Sequence, residues 1–186
     1  MPIEHLSTAE AQYAPLKIEE LAQQHYVFIQ HLAYSILDDP HEAADMTQET
    51  FLTAQRALHS FRGEAHPRTW LARITINLCR AQIQKRKRRA LLANVLQSLH
   101  LVEPPAPSPE GITAQNETYQ QLWQAVDALD EKHRLPVLLR YLHQMSVTEI
   151  AAILNLSEGT VHSQLHYARK KLQNKLSPFL SGDNEP

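Results

Sequence analysis

The sequence predicts an all-α protein of two small helical domains joined by a flexible proline-rich linker, the second domain being a helix-turn-helix. Three observations predict it. Apolar residues recur at helical spacing through most of the 186 residues. Glycine is scarce, with 4 residues, and no alternating strand pattern stands out. Four prolines crowd residues 104–109, where they forbid a regular helix and favour an extended tether. The expected boundaries are 16–92 for the first domain, 93–117 for the linker and 118–177 for the second domain.

Residues 1–15 read as a frayed leader. From Leu16 onward Leu21, Phe28, Ile29, Leu32, Ala33 and Ile36 mark one helical face. That helix should stop near Asp38-Asp39-Pro40. Asp39 is placed to cap a second helix, about 40–59, with Pro40 at its first position and Glu42 closing a capping box. Ala43, Met46, Thr47, Thr50, Ala54 and Leu58 can face a core. Asp45, Gln48, Glu49 and Leu52 line another side. Alone, that stripe reads as a solvated face or as a docking surface for a basic partner helix.

Glycine and proline punctuate Phe61-Arg62-Gly63-Glu64-Ala65-His66-Pro67 as a loop. A third helix is expected from about Arg68 to Arg89, with Trp70, Leu71, Ile74 and Leu78 inward. Arg73, Asn77, Arg80 and Gln84 share a different stripe, and five cations close the helix, Lys85 through Arg89. Like charges in a row repel one another, so they do not serve helix stability; they suit a nucleic-acid backbone. No acid occurs from Ala65 to Val102, a stretch that holds eight of the 18 Lys and Arg residues, although the whole chain carries a net charge of −2. Local basicity without global basicity excludes a protein that coats nucleic acid by charge alone.

After the linker, Leu122, Trp123, Val126 and Leu129 resume the helical pattern, and Asp130 is placed to cap the next helix. Pro136 should kink that helix or delay its start. Ser146 to Leu172 carries the helix-turn-helix. Ser146 and Glu149 form a capping box, Ala151 is small where helices cross, Asn155 can turn left-handed, and Ser157 can cap the second helix. Val161 and Leu165 should face inward. Thr160, His162, Ser163, Gln164 and His166, then Arg169, Lys170 and Lys171, lie on the other face, as in a helix that reads bases and grips phosphates. Pro178 should close this helix.

These elements, in this order, resemble a bacterial sigma factor of the extracytoplasmic-function (ECF) group. The resemblance is carried by Asp45-Met-Thr-Gln-Glu-Thr-Phe51, Phe61-Arg62-Gly63-Glu64, Thr69-Trp-Leu-Ala-Arg-Ile-Thr-Ile-Asn77, and Glu149-Ile-Ala151 through Gly159-Thr-Val161. It implies that Asp45, Gln48, Glu49 and Leu52 bind core RNA polymerase. It implies that Phe61, Arg62, Arg73, Asn77, Arg80, Gln84, Lys85, Arg86 and Arg88 bind the promoter −10 element, in part by capturing an unstacked base. Thr160, His162, Ser163, Gln164, His166, Tyr167, Arg169 and Lys170 would bind the −35 element. Further implied partners are promoter DNA and an anti-sigma factor. His162, His166 and Tyr167 stand where relatives often carry arginine or a large apolar residue, so the −35 sequence does not transfer.

The alternative is a two-domain transcriptional regulator that binds duplex DNA without serving polymerase. An enzyme is not expected: the single cysteine, Cys79, sits among apolar residues as a structural thiol, and His162 and His166 lack a third metal ligand. No cofactor and no metal site are expected. One cysteine permits no internal disulfide, no signal peptide is evident, and no apolar run approaches a membrane span, so the expected location is cytoplasmic.

Overall fold

The computed structural model describes residues 17–61, 63, 65–98 and 117–180. Among them are seven α-helices and no strand. They are α1 (Ile18–Leu37), α2 (Pro40–Ala57), α3 (Pro67–Ser98), α4 (Glu117–Asp127), α5 (Glu131–Val137), α6 (Val147–Leu154) and α7 (Glu158–Leu180). A short 3₁₀ turn, Leu58–Ser60, follows α2, and a π-helical turn, Leu138–Leu142, follows α5. The leader and the proline cluster lie outside the described residues. By compactness the chain divides into two units, one ending at Cys79 and the other beginning at Arg80.

In the first unit α1 and α2 form an antiparallel pair because local chemistry ends one and starts the next. Asp38 turns left-handed (φ 53°), and its N–H returns to the Tyr34 carbonyl at 2.9 Å. Asp39 then caps α2: its Oδ1 accepts from the N–H groups of His41 and Glu42, both at 2.9 Å. Leu21, Ile29, Ala54 and Leu71 form the buried core, with Phe28, Phe51, Leu58, Trp70 and Ile74 packed around it. Three threonines, Thr47, Thr50 and Thr75, are fully buried there. Each hydroxyl donates to the carbonyl four residues back, of Ala43, Met46 and Leu71, so none is left unsatisfied.

The inward side of α3 is rotated from the expected one. Leu71, Ala72, Thr75, Ile76 and Cys79 are buried, whereas Trp70, Ile74 and Leu78 are only half-buried. Periodicity weighed by hydrophobicity alone missed Thr75, whose hydroxyl bonds back to its own helix. The helix also runs on through the basic run to Ser98 without a break. No proline or glycine occurs between Arg68 and Ser98, so nothing in the backbone chemistry stops it.

In the second unit α5 begins at Glu131, five residues before Pro136, so the start is not delayed. The irregularity falls after the proline. The chain widens into the π turn, where the His143 N–H reaches back five residues to the Leu138 carbonyl at 3.1 Å. Asp130 occupies the cap position of α5, but its carboxylate makes no bond to the helix N–H groups. Pro178 does not close α7, which reaches Leu180. A proline leaves the carbonyl four residues back without its N–H donor; here the Ser177 hydroxyl donates to that carbonyl, of Asn174, at 3.2 Å.

The helix-turn-helix itself follows its local code. The Glu149 N–H donates to Ser146 Oγ at 3.2 Å, and the Ser146 N–H donates to Glu149 Oε2 at 2.8 Å. Asn155 ends α6 in the left-handed region (φ 55°). The Thr160 N–H donates to Ser157 Oγ at 3.1 Å, capping α7. The Thr148 hydroxyl donates to Glu158 at 2.8 Å, tying the two helix starts together. Ile150, Ala151, Ile153, Val161, Leu165 and Ala168 fill the space between the helices.

Candidate nucleic-acid interfaces

Three surfaces carry the residues singled out from the sequence. On α2, Asp45 and Gln48 are exposed, and Leu52 is 46% exposed. They lie opposite Ala43, Thr47, Thr50 and Ala54, which are buried. Glu49 is half-buried, and its Oε1 stands 3.6 Å from Arg56 Nη1. An exposed pair of this kind adds little stability. The surface is therefore acidic at its edge and apolar at Leu52. Sequence reasoning missed Tyr26 on α1, which is 41% exposed and stacks on Phe51, with ring centroids 6.2 Å apart and an interplanar angle of 10°. Its signal was a large aromatic residue lying off the inward stripe.

On α3, Arg73, Asn77 and Gln84 are exposed on one stripe, and Arg80 follows on an adjoining turn. Lys85 through Arg89 are all exposed. Trp70, expected inward, falls on the same side as Asn77, and its ring centroid lies 4.8 Å from that of Phe61. Phe61, Trp70 and Asn77 thus place two aromatic rings and an amide on one side of α3, with the cation of Arg73 one turn from Asn77. Rings of this kind can stack on an unpaired base, and the cations can track its backbone. Gly63 takes a positive φ of 72° in the loop between, a conformation that disfavours a side chain. Arg62 lies outside the described residues. Arg68 is turned away, its guanidinium 4.2 Å from the Phe28 ring centre.

Below Phe28, the rings of His25 and His66 meet edge to face at 6.4 Å. Burial, then His66 and then Arg68, hold the His25 pKa below its ordinary 6.5. The folded state therefore keeps His25 neutral where the unfolded chain would bind a proton. The associated stability is complete above about pH 6.5 and is lost as pH falls through the lowered folded pKa. Acidification from pH 7 should lower the melting temperature, and a His25→Gln variant should lose part of that slope. An identical pH dependence of melting in the variant would show that His25 contributes nothing.

On α7, the structure sorts the expected residues into three groups by their helical angle. Thr160, Ser163, His166, Tyr167 and Lys170 share the outward side, opposite Val161, Leu165 and Ala168. His162 and Arg169 border one edge, and Arg169 lines an apolar groove of about 570 Å³ with Leu122, Trp123, Tyr141 and Leu176. Gln164 is half-buried on the other edge, with its Oε1 enclosed and lacking a hydrogen-bond partner. Tyr167 does not simply face outward: its ring stacks on His133 of α5 at 4.7 Å.

The Cys79 thiol is buried, and that burial pushes its pKa up to about 12, so it is no nucleophile near neutral pH. Among the described residues no group of three or more metal-ligating side chains comes together. No helix of the described residues is long and apolar enough to cross a membrane.

Residues 21–89 match the family description Sigma-70 region 2, and residues 119–172 match Sigma-70, region 4. The chain is 33% identical to the ECF RNA polymerase sigma-E factor of Salmonella typhimurium over 146 residues, which is 75% of this chain and 76% of that one. It is 33% identical to the ECF RNA polymerase sigma factor SigE of Mycolicibacterium smegmatis over 88% of this chain and 63% of that one. In fold it is similar to the sigma factor RpoE of Bartonella quintana, solved in complex with the anti-sigma factor NepR. The TM-score is 0.66 at 23% identity, over 89% of this chain and 98% of that one.

Proposed function

This chain belongs to the ECF family of RNA polymerase sigma factors, and from that premise we propose how its surfaces divide the work of promoter opening. Asp45, Gln48, Glu49 and Leu52 dock on core RNA polymerase, with Tyr26 beside them. Phe61, Trp70 and Asn77 hold an unstacked base of the −10 element. Arg62, Arg73, Arg80, Gln84, Lys85, Arg86 and Arg88 hold the adjoining backbone. The outward side of α7, with His162 and Arg169 at its edge, reads the −35 duplex. The domains are 16–92 and 118–177, and the segment between them tethers two modest sites so that they act together.

The single observation that carries this reading is the Phe61–Trp70 pair beside Asn77 and the cation stripe of α3. A duplex-binding regulator has no use for an aromatic cradle outside its helix-turn-helix. In this reading the chain performs no catalysis. It contributes binding energy to strand separation, and the polymerase core makes RNA in the cytoplasm. An anti-sigma factor, as seen with the Bartonella protein, would compete for the polymerase-facing and DNA-facing surfaces.

The test is reconstitution of the full chain with core RNA polymerase on a genomic promoter library, followed by sequencing of transcripts. Initiation at a shared pair of elements is the expected result. Asn77→Ala should cut open-complex formation on those promoters by about tenfold, the scale of one or two lost polar base contacts, while core binding stays unchanged. Duplex binding with no specific initiation and no core binding would instead establish the regulator.

A further inference from the structure

Lys171 was expected to join Lys170 in gripping phosphate, yet the structure engages it elsewhere. Its Nζ lies 3.5 Å from Asp130 Oδ2, at the start of α5. The same nitrogen stands 5.4 Å from the centre of the Tyr167 ring. His133 Nδ1 stands 3.5 Å from the same Asp130 oxygen, without the alignment of a hydrogen bond. The His133 ring backs the other element of the cluster, stacking on Tyr167 at 4.7 Å. His133 of α5 and Tyr167 and Lys171 of α7 thus gather at the Asp130 carboxylate.

Asp130 is free to do this because it leaves the cap of its own helix unmade. Lys171 in turn holds the Asp130 carboxyl below its usual range, both by charge and by hydrogen bond. The carboxylate and ammonium are both well exposed, at 63% and 43%, so the pair contributes little to stability. Its consequence is electrostatic. A cation paired with a carboxylate adds no net charge to the DNA-facing helix, and sequence-independent affinity scales with the phosphates that cations neutralise.

We propose that Asp130 sets the general DNA affinity of α7: by holding Lys171 beside Tyr167 and His133, it withholds one cation from DNA phosphate and weakens binding to every duplex alike. This rests on the reading of α7 as the helix that enters the −35 duplex. Phosphate contacts carry no sequence information, so withholding one lowers affinity for every duplex and leaves the preference among sequences to the base contacts. Lys170, on the outward side, stays available for phosphate.

The experiment uses the full chain, a labelled duplex carrying a −35 sequence recovered from the transcripts, and a scrambled duplex of equal length. Binding is measured across a salt series for wild type, Asp130→Asn, Asp130→Ser, Lys171→Ala and the Asp130→Asn/Lys171→Ala double variant. Serine and asparagine both suit a cap position, so two independent variants remove the charge without removing a helix start. Both Asp130 variants should bind the scrambled duplex several-fold more tightly at low salt. They should steepen the plot of log affinity against log salt by about one on both duplexes, and leave the preference for the recovered sequence unchanged. Adding Lys171→Ala should restore the wild-type slope, whereas Lys171→Ala alone should leave it unmoved.

Three results would overturn the inference: an unchanged slope in both Asp130 variants, a flatter slope in Lys171→Ala alone, or a steep slope persisting in the double variant. A wild-type chain with no preference for the recovered duplex would sink the assignment of α7 itself, and the inference with it. A clear wild-type preference alongside unmoved Asp130 variants would sink the inference alone.

Discussion

Reversing both acids of the α2 surface, Asp45→Lys with Glu49→Lys, is expected to weaken core polymerase binding on the order of a hundredfold, equivalent to about 2.8 kcal/mol. Asp45 is exposed and Glu49 half-buried on the side of α2 turned away from the core, so neither supports the fold. The reversal removes two attractions to a basic partner helix and adds two repulsions. Arg56, 3.6 Å from Glu49, loses an internal partner, and that exposed pair is worth about a few tenths of a kcal/mol. The melting temperature should therefore barely move. Pulldown of core polymerase from a defined mixture, with thermal melting alongside, separates the two effects. Retained core binding would show that the docking surface lies elsewhere.

Val161→Asp is expected to unfold the helix-turn-helix and abolish −35 protection while core binding persists. Val161 is fully buried between α6 and α7, beside Ile150 and Leu165, which are also buried. A carboxylate there loses its water and gains no partner, at a cost of several kcal/mol. Whole domains are stable by only about 5–15 kcal/mol, so a small helical unit has little margin. The first unit has its own core, around Leu21, Ile29, Ala54 and Leu71, and should keep its melting transition. Circular dichroism should show a loss of part of the helix content. Footprinting should lose the upstream half of the promoter contact. Intact helicity together with an intact footprint would contradict the packing described for α7.

What the sequence disclosed and what it withheld divide along a physical line. The capping box at Ser146 and Glu149, the left-handed Asn155 and the Asp39 cap are interactions among residues two to four apart, so the spacing alone specifies them. The inward side of α3 was misjudged because Thr75 satisfies its hydroxyl within its own helix and so enters the core at low cost. Pro178 was misjudged for a related reason: the neighbouring serine replaces the lost donor. The neighbours of Tyr167 and Lys171 were not legible, because a helix viewed by itself has none. Only the fold brings α5 against that side, with Asp130 and His133. Trp70 was legible as apolar but not as half-exposed, since that depends on where the Phe61 loop crosses it.

The unbroken run of α3 from Pro67 to Ser98 gives its surface the character of a threaded shaft. Thirty-two residues at about 1.5 Å each make a rod of roughly 48 Å, and each residue advances it by roughly 100°. Position along such a rod and direction around it cannot vary independently. The seven positions from Trp70 to Asn77 therefore fix an angle as well as a distance. A single residue inserted between them would turn the ring about a quarter of a circle out of phase with the amide. The spacing between these two features is thus a torsional constant of the helix, set by the pitch of the backbone and the same for any intervening residues that keep the helix unbroken.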